Sequence, residues 1–98
     1  MPRLTFITPA ALVLLVQMEA PTNLGRDYTT RFHAAYVRAA GETSVPLLPF
    51  LLGGVAGDAR YNQPDGIHPN VDGSVKVAET MWQALRPTFE ALSASAVP

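Results

Sequence analysis

Asp65 and His68 stand three residues apart in the string Gln63-Pro64-Asp65-Gly66-Ile67-His68-Pro69-Asn70. In an extended or turning loop, that spacing lets the carboxylate fold back onto the imidazole Nδ1. The contact fixes the tautomer and leaves Nε2 free to take a proton from a nucleophile. This is the orienting half of a hydrolytic triad. Pro64 and Pro69 stiffen the two flanks, Gly66 permits a tight turn, and Asn70 is suited to cap a helix starting just after it. The same spacing has a structural alternative, a turn ahead of a helix in which Asp65 accepts backbone N–H bonds. His33 lies beside an apolar helical face, away from any polar cluster, and reads as a packing or surface residue.

Four elements must position this loop. Ala11 to Gln17 is a continuous apolar run of the kind a parallel strand covered on both faces requires. Tyr28, Phe32, Ala35, Tyr36 and Ala39 recur at helical spacing and predict a helix over 26–40, with Gly41 placed to stop it. Val45 to Phe50 is short, apolar and bounded by prolines, which predicts a second strand. Strand, helix, strand needs a crossover that makes the two strands parallel, so the fold class is α/β. Residues 51–64 hold three glycines and a closing proline, a flexible or loosely helical connection that could cover a pocket. Val71, Val75, Ala78, Met81, Trp82, Leu85, Phe89 and Leu92 then step by three or four and predict a long amphipathic helix over 71–91. Trp82 and Met81 are core residues on this reading, Pro87 kinks or ends the helix, and residues 93–98 form a frayed tail.

The chain has 98 residues, 48% hydrophobic and 15% charged, which sets a single domain over 1–98 as the limit. Seven Lys and Arg against eight Asp and Glu leave no basic block, so nucleic acid is not an expected partner. Zero cysteines remove disulfides, zinc–thiolate sites and cysteine nucleophiles together. Residues 1–16 carry one early Arg and a mostly apolar run. That run is too short for stable membrane insertion and reads either as the approach to the first strand or as a targeting segment. The compartment expected is cytoplasmic, with periplasmic or secreted as the alternative.

From about Leu12 to Leu92 the chain resembles the C-terminal half of SGNH (GDSL-type) hydrolases, especially the bacterial arylesterase and thioesterase I/lysophospholipase branch. The matching pieces are Val16 to Pro21, Asn23 to Tyr28, Val45 to Phe50 and Asp65 to Asn70, in that order. The resemblance implies part of a flavodoxin-like three-layer α/β/α fold with parallel strands and two long helices. It also implies hydrolysis of acyl esters or thioesters through an acyl-serine intermediate, with no metal or organic cofactor. By motif, Asp65 and His68 take the places of the family's catalytic Asp and His.

The family places its nucleophile in a Gly-Asp-Ser string after the first strand, and its oxyanion donors in further blocks; none of these strings occurs here. The serines are Ser44, Ser74, Ser93 and Ser95. Ser93 and Ser95 fall in the tail, Ser44 precedes the second strand at the wrong end, and Ser74 in a first helical turn caps or bonds backbone. Asn23 and Asn62 are conceivable polar contacts for substrate. The first ten residues are atypical for the family. Two readings follow: an esterase or thioesterase of which this chain carries the Asp–His part, or an incomplete structural or interaction module. Uncovered helix faces and a bare sheet edge predict a homo-oligomer or pairing with an N-terminal half.

Overall fold

The computed structural model describes residues 12–96, within which the chain divides into two compact units meeting at the Phe50–Leu51 boundary. The targeting segment or strand start expected over residues 1–11 lies outside the described residues, as do Val97 and Pro98.

The first unit is α/β. Strand β1 (Leu15–Val16) pairs in parallel with β2 (Leu47–Leu48), with Leu15 opposite Leu47 and Val16 opposite Leu48. Leu15 N–H donates to the Pro46 carbonyl at 3.0 Å and Gln17 N–H to the Leu48 carbonyl at 3.1 Å. Both strands are shorter than the apolar runs that encode them. Pro46 and Pro49 have no N–H to give to a ladder, so β2 is held to the two residues between them, and β1 can pair no further than its partner. The two-sided cover expected for β1 is not found, because Val13 is exposed and Leu14 to Val16 are only half-buried. The most buried residue of this stretch is the polar Gln17.

A 3-10 turn at Thr22–Leu24 leads through Gly25 into helix α1 (Arg26–Thr43). Tyr28, Phe32 and Tyr36 follow one another along it, with ring centroids 6.1 and 5.5 Å apart. The helix runs past Gly41, where the sequence predicts its end. The stop is Ser44, left-handed at φ 59°, and Val45 N–H closes the end on the Ala40 carbonyl at 3.2 Å. Gly41 meets no steric demand inside the helix, so it is tolerated there.

The second unit consists of turns over 51–57, a 3-10 helix at Ala59–Tyr61, the Asp65–His68 loop and helix α2 (Val71–Ala96). Helix α2 starts where expected and continues through Pro87, which removes only the bond to the Gln83 carbonyl. Both residues are exposed, so water can take the freed oxygen. It also continues through 93–96, expected to be frayed, where alanine alternates with serine and nothing breaks the helix. Trp82, expected in the core, is 53% exposed, and Met81 is half-buried. No helix among the described residues is long and apolar enough to cross a membrane.

Candidate active site

The loop that carries Asp65 and His68 is fastened at its base. Asn62 and Pro69 form an antiparallel bridge, Gln63 N–H donates to the His68 carbonyl at 2.8 Å, and Asn70 N–H donates to the Tyr61 carbonyl at 2.9 Å. Within this clasp, residues 63–66 make a β-turn closed by Gly66 N–H on the Gln63 carbonyl at 2.8 Å, with Pro64 at the position that suits its fixed φ. Gly66 has φ +71° with open space around it, so the backbone conformation selects glycine there and steric room does not.

The carboxylate of Asp65 does two jobs with two oxygens. Oδ1 accepts the backbone N–H of Ile67 at 2.9 Å and of His68 at 3.0 Å. Oδ2 meets His68 Nδ1 at 2.7 Å. The hydrogen bond to His68, then the two backbone N–H bonds, hold the Asp65 carboxyl down at about 2, against an ordinary 3.8. An ionised carboxylate has no proton to give, so His68 Nδ1–H is the donor, and in the neutral imidazole the lone pair then lies on Nε2. The orienting contact and the turn-closing contact, alternatives in the sequence, are both made.

Helix α2 is tied to the same loop by Asn70. Its Oδ1 accepts Gly73 N–H at 2.9 Å, the expected cap, and its Nδ2 donates to the Arg60 carbonyl at 2.9 Å and the Asn62 carbonyl at 3.3 Å. The connection ahead of the loop is braced too. Asp58 accepts Arg60 N–H at 2.9 Å and grips its guanidinium at 3.1 and 2.7 Å, and these bonds with Arg60 hold the Asp58 carboxyl at about 2. Asn62, a conceivable substrate contact in the sequence, spends its Nδ2 on the carbonyls of Val55 and Asp58, at 2.7 and 2.8 Å. Val55 is fully buried, so the stretch expected to be flexible is anchored on an apolar residue.

Beside the loop lies an open groove lined by Gln63, Pro69, Asn70, Val71, Ser74, Val75 and Ala78. The His68 side chain is 70% exposed and Asp65 is 43% exposed. Ser74 lines the groove, and no hydrogen bond among the described residues joins a serine to His68. One pair escaped the sequence reading. In the first unit His33, exposed as the surface reading has it, meets Glu19 through Nδ1 at 2.7 Å. Fourteen residues separate the two, and no local spacing signals such a contact.

No family model matches the chain. It is similar to the thioesterase 1/protease 1/lysophospholipase L1 of Escherichia coli (strain K12), 43% identical over 74 residues, which make up 76% of this chain and 36% of that protein. The esterase TesA of Pseudomonas aeruginosa is 36% identical over 77 residues, covering 79% of this chain and 38% of the relative. An arylesterase of Vibrio mimicus is 32% identical over 75 residues. A crystal structure of TesA matches 76% of this chain and 41% of its own at 35% identity, with a TM-score of 0.69. The parallel strand pair, the two helices and this match fit a partial α/β fold of the SGNH type. The chain is similar to a C-terminal portion of the SGNH hydrolases. It spans somewhat over a third of the length of the curated relatives it matches.

Proposed function

We propose that this chain supplies the acid–base half of a serine hydrolase site acting on carboxylic esters or thioesters. In this reading His68 is the general base and Asp65 holds it. A serine hydroxyl, carried by a segment outside these 98 residues, gives its proton to His68 Nε2 as its oxygen attacks the acyl carbon. The imidazolium returns that proton to the departing alkoxide or thiolate, and His68 then activates the water that releases the acid. Substrates are short to medium acyl esters or thioesters, and the reading invokes no metal or organic cofactor. What carries it is the 2.7 Å contact from Asp65 Oδ2 to His68 Nδ1, which leaves Nε2 open. The names of the relatives, a thioesterase, an esterase and an arylesterase, agree with that chemistry.

A second reading, a structural or interaction module without turnover of its own, is favoured by the large exposed side chains of α2. A chimera separates the two. Residues 12–92 replace the matching segment of the Escherichia coli thioesterase, and hydrolysis of a p-nitrophenyl ester is followed. Turnover that falls at least about a thousandfold in His68→Ala supports the catalytic reading. A folded chimera without turnover supports the second.

A further inference from the structure

The chain holds two Asp-Gly dipeptides, Asp65-Gly66 and Asp72-Gly73. In such a pair the glycine has no β-carbon to shield its backbone nitrogen, so that nitrogen can approach the side-chain carboxyl carbon of the aspartate before it. The fold sets the two pairs in opposite surroundings. Asp65 and Gly66 are exposed in the loop, and a β-carbon at Gly66 would meet nothing within 4 Å. Gly73 is buried in the first turn of α2 against the Tyr61 carbonyl and the Pro69 ring, with its N–H on Asn70 Oδ1 at 2.9 Å.

We propose that Asp65-Gly66 is a site of spontaneous isoaspartate formation, held in check by the contact with His68, and that Asp72-Gly73 is not one. The reaction needs no co-reactant but water. Gly66 N bonds to Asp65 Cγ, the amide proton and the carboxyl OH leave as water, and a five-membered succinimide closes. Water then adds to one of the two ring carbonyls. Cleavage of the bond from Cγ to nitrogen restores aspartate. Cleavage at the former main-chain carbonyl leaves the chain running through Cβ and Cγ, with a free carboxylate on Cα.

The closed loop opposes the first step. Gly66 N–H is held by the Gln63 carbonyl at 2.8 Å, and the Asp65 carboxylate by Ile67 N–H, His68 N–H and His68 Nδ1. Ring closure draws on the neutral carboxyl, and these three bonds keep the group ionised. All three are exposed, so local opening of the loop releases the carboxylate while α2 stays formed. At Asp72 the same ring would need Gly73 to leave its packed place against Tyr61 and Pro69.

Isoaspartate adds one carbon to the main chain and takes one from the carboxylate arm. One carboxylate then no longer spans the Ile67 and His68 N–H groups and the imidazole Nδ1. The modification stands apart from the catalytic reading, and only the consequent loss of a base at His68 rests on it.

The test keeps the full chain at neutral pH, folded and, in parallel, unfolded in urea. Electron-transfer fragmentation of the digested samples distinguishes isoaspartate from aspartate at each site. The urea sample gives the rate of each dipeptide without the fold. In the folded chain isoaspartate is expected at Asp65, more slowly than in urea, and none at Asp72. His68→Ala is expected to speed conversion at Asp65 about tenfold, the worth of one charged hydrogen bond, with Asp72 still unconverted because α2 stays folded. Conversion at Asp72 in step with Asp65, or none at Asp65 once the urea sample has converted, overturns the proposal. A rate at Asp65 that His68→Ala leaves unchanged overturns the role given to His68.

Discussion

Asp65 grips His68 at two places, taking its backbone N–H on Oδ1 at 3.0 Å and its ring Nδ1 on Oδ2 at 2.7 Å. The loop conformation and the imidazole orientation are thereby set by one carboxylate. A substitution that spares the first contact and alters the second separates them. Asparagine keeps an oxygen for the N–H groups of Ile67 and His68 but turns an NH₂ toward Nδ1, which must then accept, so the ring proton moves to Nε2 and the base is lost. In the thioesterase chimera, Asp65→Asn is expected to lower kcat about ten-thousandfold, by analogy with serine triads, with KM little changed. A loss below tenfold would mean that Asp65 only shapes the loop.

Acid sensitivity follows from the same carboxylate. The folded chain holds Asp65 at about 2 against an ordinary 3.8. A depressed value stabilises the fold fully above the unfolded value, loses that contribution as pH falls from 3.8 toward 2, and contributes nothing below. Asp58, held at about 2 by Arg60, acts over the same window. Urea midpoints measured between pH 5 and pH 2 should therefore fall less steeply in Asp65→Asn and in Asp58→Asn than in the parent chain. Parallel curves would assign the acid loss to other groups.

Gly73 sits where α2 crosses closest to the loop base. A β-carbon there would run into the Tyr61 carbonyl oxygen and the Pro69 ring, and Tyr61 is the residue whose carbonyl receives Asn70 N–H. Helix propensity alone would favour alanine by up to about 1 kcal/mol. Overpacking against backbone outweighs it, and Gly73→Ala is expected to destabilise the chain by about 1–3 kcal/mol. A thermal midpoint at or above that of the parent would show that the loop base yields.

Asn70 offers a finer test, because its two ends do different work. Asn70→Asp keeps the cap on Gly73 N–H and loses the bonds from Nδ2 to the Arg60 and Asn62 carbonyls, whereas Asn70→Ala loses both. The cap alone is worth about 1 kcal/mol. Stability should fall in the order parent, Asn70→Asp, Asn70→Ala. Equal values for the two variants would leave the cap without weight.

What could be read from the sequence was what neighbours along the chain decide. The Asp65–His68 contact, the turn at Gly66, the cap at Asn70 and the start of α2 all depend on residues within four positions of one another. The α/β order and the parallel pairing followed from short apolar runs on either side of one helical period. Errors gathered where distant partners decide. Gly41 marks a helix stop only when the backbone turns left-handed there, and the turn falls three residues later, at Ser44. The periodicity of α2 announces an apolar face but not what covers it, so it predicts a core position for Trp82, which is exposed. Burial of Gln17 and the Glu19–His33 contact depend on the crossing of separate elements, and no spacing encodes them.

The position of the proton on the His68 ring decides whether this histidine can act as a base. Nitrogen-15 shifts of the ring, recorded in the full chain at a pH alkaline enough to keep imidazole neutral, report which nitrogen carries it. The proton is expected on Nδ1 in the parent chain, with Nε2 open, and is expected to move to Nε2 in Asp65→Asn. A proton on Nε2 in the parent would contradict it, because His68 would then have no lone pair to offer a nucleophile on its exposed side.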